Sequence, residues 1–130
     1  MSGWTSAEKI LAIRLDAMGD VLMTEPAIRA VAESQAGPRI TLLTSPAGAE
    51  VGKLLPGVDA IIAYEAPWMK TTSARASAQP DWDMLDRLRS ERFDGAIVFT
   101  VYSQNPLPAA LLCFLAGIPL RLAHCRENPY

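Results

Sequence analysis

Apolar positions along this chain fall into short continuous runs, separated by segments in which they recur every three or four residues. The first run, residues 10–15, is nearly unbroken, as in strands that a parallel sheet buries on both faces. After it, Val21, Ile28, Val31 and Ala32 line one stripe of a helix with Thr24 and Ala27 beside them, while Arg29 and Glu33 point away. Pro26 allows two starts for this helix. Either Asp20 caps it and Pro26 kinks it, or Thr24 caps it and Pro26 sits in the first turn, where proline costs no hydrogen bond. The second start is favoured, and it leaves Gly19-Asp20-Val21-Leu22 as a turn open to ligand. Gly37-Pro38 ends the unit.

The alternation continues. A strand over residues 39–44 is followed by a short helix from Ser45 and Pro46 through Val51, Leu54 and Leu55, stopped by Pro56-Gly57. Residues 60–64 form a third strand. Residues 65–80 carry no period and are mostly small and polar apart from Trp68 and Met69. A connection that long is a functional loop or a disordered one. It reads either as a solvated loop with one tryptophan against the body, or as a flap whose Lys70 and Arg75 grip an anionic ligand.

Asp81, Asp83 and Asp86 then lead a helix that closes with Arg87, Arg89 and Arg92, the order its dipole favours. Trp82, Leu85 and Leu88 supply its buried side. A fourth strand over residues 95–99 runs into Thr100, Tyr102, Ser103 and Gln104, whose hydroxyls and amide fall on the same rim as Asp20. Asn105-Pro106 opens a last helix with proline in the first helical position. That helix is apolar nearly all round over residues 107–116, hence buried, and Gly117 closes it before a fifth strand over residues 120–123. The order predicts an α/β, Rossmann-like parallel sheet with right-handed crossovers and helices on both faces.

At 130 residues there is room for one domain with a real core. A net charge of −2 provides no basic footprint for nucleic acid. Cys113 lies in an apolar helical run, and Cys125 follows the only histidine, His124, without the spacing of a zinc site. No metal site is expected. The absence of an evident disulfide framework fits the reducing cytosol. The longest apolar run, residues 107–120, holds two prolines and falls short of the ~20 residues a membrane span requires.

The first strand ends in a turn carrying two carboxylates, Asp16 and Asp20, beside Gly19. It is too glycine-poor for G-x-G-x-x-G, so a dinucleotide fingerprint is absent. Paired carboxylates suit general-base work, because mutual repulsion favours a proton on one of them. The plainer alternative is that Asp16 ends a strand and Asp20 caps a helix. A phosphoreceiver would need an aspartate where Tyr64-Glu65 stands, and a Ser-His-Asp triad finds no G-x-S-x-G elbow.

The stretch Ile13-Arg14-Leu15-Asp16-Ala17-Met18-Gly19-Asp20-Val21-Leu22, continuing from Thr24 to Ala30, resembles the opening of the family 9 glycosyltransferases, the lipopolysaccharide heptosyltransferases and their relatives. Residues 40–46, 54–59, 66–70 and 92–119 are similar too. The resemblance implies a two-domain enzyme of GT-B architecture, with residues 1–130 as most of its amino-terminal, acceptor-binding domain. On that view the chain is a fragment, inactive alone. The carboxy-terminal domain that binds the nucleotide sugar is missing, and so are the last strands of this one. Family members transfer a heptose from ADP-heptose to a lipopolysaccharide-core acceptor, inverting the anomeric centre with no cofactor or metal.

The resemblance makes Asp20 the general base. Gly19, Asp16, Lys70, Arg75, Ser103 and Gln104 are the expected acceptor contacts, with the two cations holding carboxylate or phosphate. It also implies a glycolipid or oligosaccharide acceptor, a cytoplasmic location peripheral to the inner membrane, and association through a raw sheet edge at the fifth strand or its neighbour. The alternative is a non-catalytic α/β module that binds a glycan, nucleotide or protein partner.

Overall fold

The computed structural model describes residues 3–101 and 104–125. After a 3-10 turn at Gly3–Ser6 come β1 (Lys9–Arg14), α1 (Met18–Met23), α2 (Glu25–Ala32), β2 (Arg39–Thr44), α3 (Pro46–Gly52), β3 (Ala60–Ala63), α4 (Gln79–Glu91), β4 (Gly95–Val98), α5 (Leu107–Leu115) and β5 (Leu120–Ala123). The five strands form one sheet in the order β3-β2-β1-β4-β5, and every pairing is parallel.

Successive side chains of a strand point to opposite faces, and β1 uses both. Leu11 and Ile13 pack with Leu85 and Leu88 of α4 and with Leu112 and Cys113 of α5. Ile10 and Ala12 pack on the other face with Val21, Ile28 and Leu55. From β1 the chain winds outward through β2 to β3, then crosses back to β4 on the far side of β1. Right-handed crossovers in the reversed direction put α4 and α5 on the face opposite α1, α2 and α3. The fold is therefore doubly wound, and its switch point lies between β1 and β4.

Several expectations are corrected in detail. Gly19-Asp20-Val21-Leu22 is not a turn. It lies within α1, where the Val21 N–H donates to the Ala17 carbonyl at 3.1 Å. Pro26 lacks the N–H that would bond the Leu22 carbonyl, so the break falls at Thr24, and the residues upstream remain free to coil. Thr24 is the joint between α1 and α2, yet its hydroxyl donates backward to the Asp20 carbonyl at 2.8 Å and caps nothing forward. Residues 79 and 80, read as loop, begin α4 with proline in its first turn.

Trp82 is 60 % exposed. The inward stripe of α4 follows the i, i+4, i+7 positions Asp81, Leu85 and Leu88, with the two leucines buried and Asp81 partly buried, and Trp82 turns outward. On α5, Leu111, Phe114 and Leu115 are 57 %, 60 % and 46 % exposed, so the helix is not buried all round. It lies at the sheet edge and meets only one layer, through Ala109, Leu112 and Cys113. Its Pro106 precedes the first helical residue, and Pro108 stands in the first turn. Gly117, with φ +74°, closes it. Three strands also end one residue early. Leu15, Tyr64 and Phe99 leave the sheet at its carboxyl rim.

Candidate functional site

In an open parallel sheet, the loops after the two strands flanking the switch point leave toward opposite faces, and the crevice between them is where ligands collect. Here the loops following β1 and β4 part in this way and open a cleft of about 720 Å³. Its apolar floor includes Ile13, Leu15, Tyr64 and Val98. Asp16, Asp20, Ser45, Glu65, Lys70 and Gln104 supply polar groups around it.

The geometry begins with Arg14, the last residue of β1. Its side chain is 7 % exposed, and a guanidinium buried so deeply requires anionic partners. Nε and Nη2 donate to the two oxygens of Asp16 at 2.7 and 3.1 Å. The same Nη2 stands 3.4 Å from Oδ1 of Asp20. Asp16, 11 % exposed, is held further: Gln104 donates its amide to Oδ2 at 2.6 Å, and the Ser45 hydroxyl donates to the Asp16 carbonyl at 2.7 Å. Ser45 also caps α3, accepting from the Gly48 N–H at 3.0 Å. Gly48 leaves room for this corner, because a Cβ there would stand 2.0 Å from Thr44 Oγ1.

Asp20 differs. Its side chain is 42 % exposed, it borders the cleft, and it sits in the first turn of α1. The two carboxylates do not face each other unrelieved, since the Arg14 guanidinium contacts both.

The structure brings Asp16, Asp20, Lys70 and Gln104 to one cleft. It does not bring all of the expected set. Gly19 is not among the lining residues, has no positive φ, and has nothing within 4 Å of where a Cβ would stand. Arg75 is also absent from the lining. It is paired with Asp81 and donates to the Glu65 carbonyl at 3.0 Å, which straps the loop to α4. Ser103 lies outside the described residues.

Within the loop, Trp68 packs edge-on against Tyr64 at 6.1 Å, and Lys70 on the following turn reaches the cleft wall. The Tyr64 hydroxyl donates to Asp81 at 2.7 Å. Burial, reinforced by that hydrogen bond and the charge of Asp81, holds the phenol well above its ordinary titration range. Arg14 is the residue that sequence reasoning missed. A lone arginine ending an otherwise apolar, doubly buried strand was the available signal, because such a charge must meet partners nearby.

Among the described residues, no group of three His, Cys, Asp or Glu side chains is placed to hold a metal ion, and no helix is long and apolar enough to cross a membrane. No protein-family model and no curated protein sequence matches the chain. Solved structures do. The glycosyl transferase family 9 protein from Veillonella parvula DSM 2008 superposes over 90 % of this chain with a TM-score of 0.69 and 17 % identity. The ADP-heptose lipopolysaccharide heptosyltransferase II of E. coli does so over 88 %, with a TM-score of 0.66 and 22 % identity. The chain spans 32 % and 30 % of those two proteins. It thus has an α/β, Rossmann-like fold found within glycosyl transferase family 9 structures.

Proposed function

We propose that this chain is the acceptor-binding part of an inverting sugar transferase, with Asp20 as its general base. The observation that carries the reading is the state of Asp20: a half-exposed carboxylate on the cleft at the switch point, touched by one guanidinium and otherwise open. A general base must stand within hydrogen-bond reach of the proton it removes, and this carboxylate is accessible to a hydroxyl entering the cleft. Asp16 cannot do the same work, because both of its oxygens are already engaged.

In the proposed step, an acceptor hydroxyl gives its proton to Asp20 as its oxygen bonds to the anomeric carbon of a nucleotide sugar. The bond from that carbon to the diphosphate oxygen breaks, and its electron pair leaves with the nucleoside diphosphate. The fold likeness to an ADP-heptose lipopolysaccharide heptosyltransferase supports ADP-heptose as donor and a lipopolysaccharide-core glycolipid as acceptor, and on this proposal the reaction takes place at the cytoplasmic side of a membrane. Lys70 supplies a cation at the cleft wall for an acidic group of that acceptor. The donor would be bound mainly by a second domain beyond these residues.

The test uses the full gene product with ADP-heptose and a core acceptor. Asp20→Asn should lower kcat by about 10²–10⁴-fold, the contribution of a positioned base, and leave donor affinity unchanged. Undiminished turnover would remove Asp20 from the chemistry. Acceptor binding with no transfer by either protein would favour a binding module.

A further inference from the structure

The Arg14 cluster holds its two carboxylates unequally. Asp16 receives two hydrogen bonds from the guanidinium, at 2.7 and 3.1 Å, and a third from Gln104, whereas Asp20 has one contact at 3.4 Å, beyond ordinary N–H···O length. Arg14 and Asp16 cancel as a bidentate pair. Asp20 is left as the unbalanced anion of the cluster, and of the two acids that line the cleft it is the more exposed, 42 % against 11 %.

We infer that Arg14 and Asp16 are positioning residues for Asp20: Asp16 holds the guanidinium back, so that Arg14 orients the Asp20 carboxylate without closing on it. This rests on reading Asp20 as the base. A base must keep affinity for a proton, and a cation in full contact would hold the carboxylate in its charged form. A base without any partner would rotate freely. The arrangement lies between these limits, with the fork of Arg14 spent on Asp16 and only one shared Nη2 corner turned to Asp20.

Among the described residues, the other charged groups near the cluster are paired with each other or of mixed sign. From α2, Glu25 and Arg29 pair with each other, and on α3, Glu50 pairs with Lys53 at the end of that helix. Across the cleft, the loop contributes Glu65 and Lys70, one of each sign. The rim after β4 contributes the neutral Gln104.

The experiment is the pH–rate profile of kcat/KM for the full-length enzyme. Asp16→Asn frees Arg14 to close on Asp20, so the acidic limb should move to lower pH by about one unit, while kcat falls and donor KM stays. Arg14→Met withdraws the cation, so the limb should move the opposite way. If Arg14→Met does not fold with Asp16 unpaired, the Arg14→Met/Asp16→Asn double variant is uncharged at both positions and should still place its limb above that of Asp16→Asn. Limbs that stay with the wild type, or move in one direction for both changes, overturn the inference even where kcat drops. A fully active Asp20→Asn enzyme would instead sink the assignment of the base.

Discussion

Arg14 and Arg75 each hold an aspartate close by in sequence, and the two pairs lie in one small domain, yet they differ in what is left over. The Arg75 pair is closed to ligand, because its acid is engaged within the protein, although the buried Nε of Arg75 finds no partner among the described residues. Asp81 accepts from Arg75 and from the Tyr64 hydroxyl, the Glu65 carbonyl takes a second guanidinium nitrogen, and no carboxylate is left to face the cleft. The Arg14 pair is open. Asp16 satisfies the guanidinium, but a further acid, Asp20, shares it and remains accessible. Closure makes a strap, whereas a surplus carboxylate at a switch point stays free to meet a ligand. The kind of residue does not separate the two cases, but the count of partners does.

The largest expected difference between the two pairs is in stability. Arg14→Met removes one partner of a buried pair and strands Asp16, which should cost about 3–5 kcal/mol. Arg75→Met removes a more accessible pair on a loop and should cost about 1 kcal/mol. Urea titrations of the two variants decide it. Equal losses would mean that Arg75 is as deeply committed as Arg14, and the contrast in burial would carry no energetic meaning.

A smaller effect isolates the closed pair through pH. Tyr64 titrates higher in the folded protein than its ordinary value of 10.0, because it is buried and bonded to Asp81. The phenol is therefore protonated in the folded chain where the unfolded chain has begun to lose that proton. Its contribution is complete below about pH 10 and is lost as pH rises through the folded value. Wild-type stability should fall more steeply above pH 10 than that of Tyr64→Phe. At neutral pH the variant should be weaker by about 1 kcal/mol, one hydrogen bond. Parallel stability curves for the two proteins between pH 9 and 11 would show that neither burial nor the bond to Asp81 holds the proton.

The same contrast explains what could be read from residue order alone. The β-α alternation was legible because strands buried on both faces are unbroken apolar runs, and residues 39–44 coincide with β2. The placement of Asp20 at the cleft was legible too, because the first turn of the helix that follows a switch-point strand borders the crevice at the strand's carboxyl end. Trp82 was misjudged because Trp82, Leu85 and Leu88 step by three, and that row drifts around a helix. The i, i+4, i+7 row that packs begins instead at Asp81, a charged residue whose burial depends on Tyr64 and Arg75. Arg75 reads as a ligand grip and Arg14 as a mere interruption of a strand for one reason: local order does not reveal which acid an arginine will meet. Gln104 reaches Asp16 across 88 positions, a contact that only the β1-β4 adjacency creates.

The smallest effect sharpens the open side of the comparison. Gly19 lies inside α1, where glycine weakens a helix, and nothing in the described structure requires it: its φ is not positive, and a Cβ would meet no atom within 4 Å. Gly19→Ala should therefore raise stability by about 0.5 kcal/mol, less than the full interior value because the site is near the helix start. If the space beside Asp20 is kept for an acceptor, the same change should raise the acceptor KM and leave donor KM alone. The two readouts are independent, so stability gained together with acceptor affinity lost would mark Gly19 as a residue held for ligand. Stability gained with unchanged kinetics would confine the acceptor to the Lys70 and Gln104 side of the cleft.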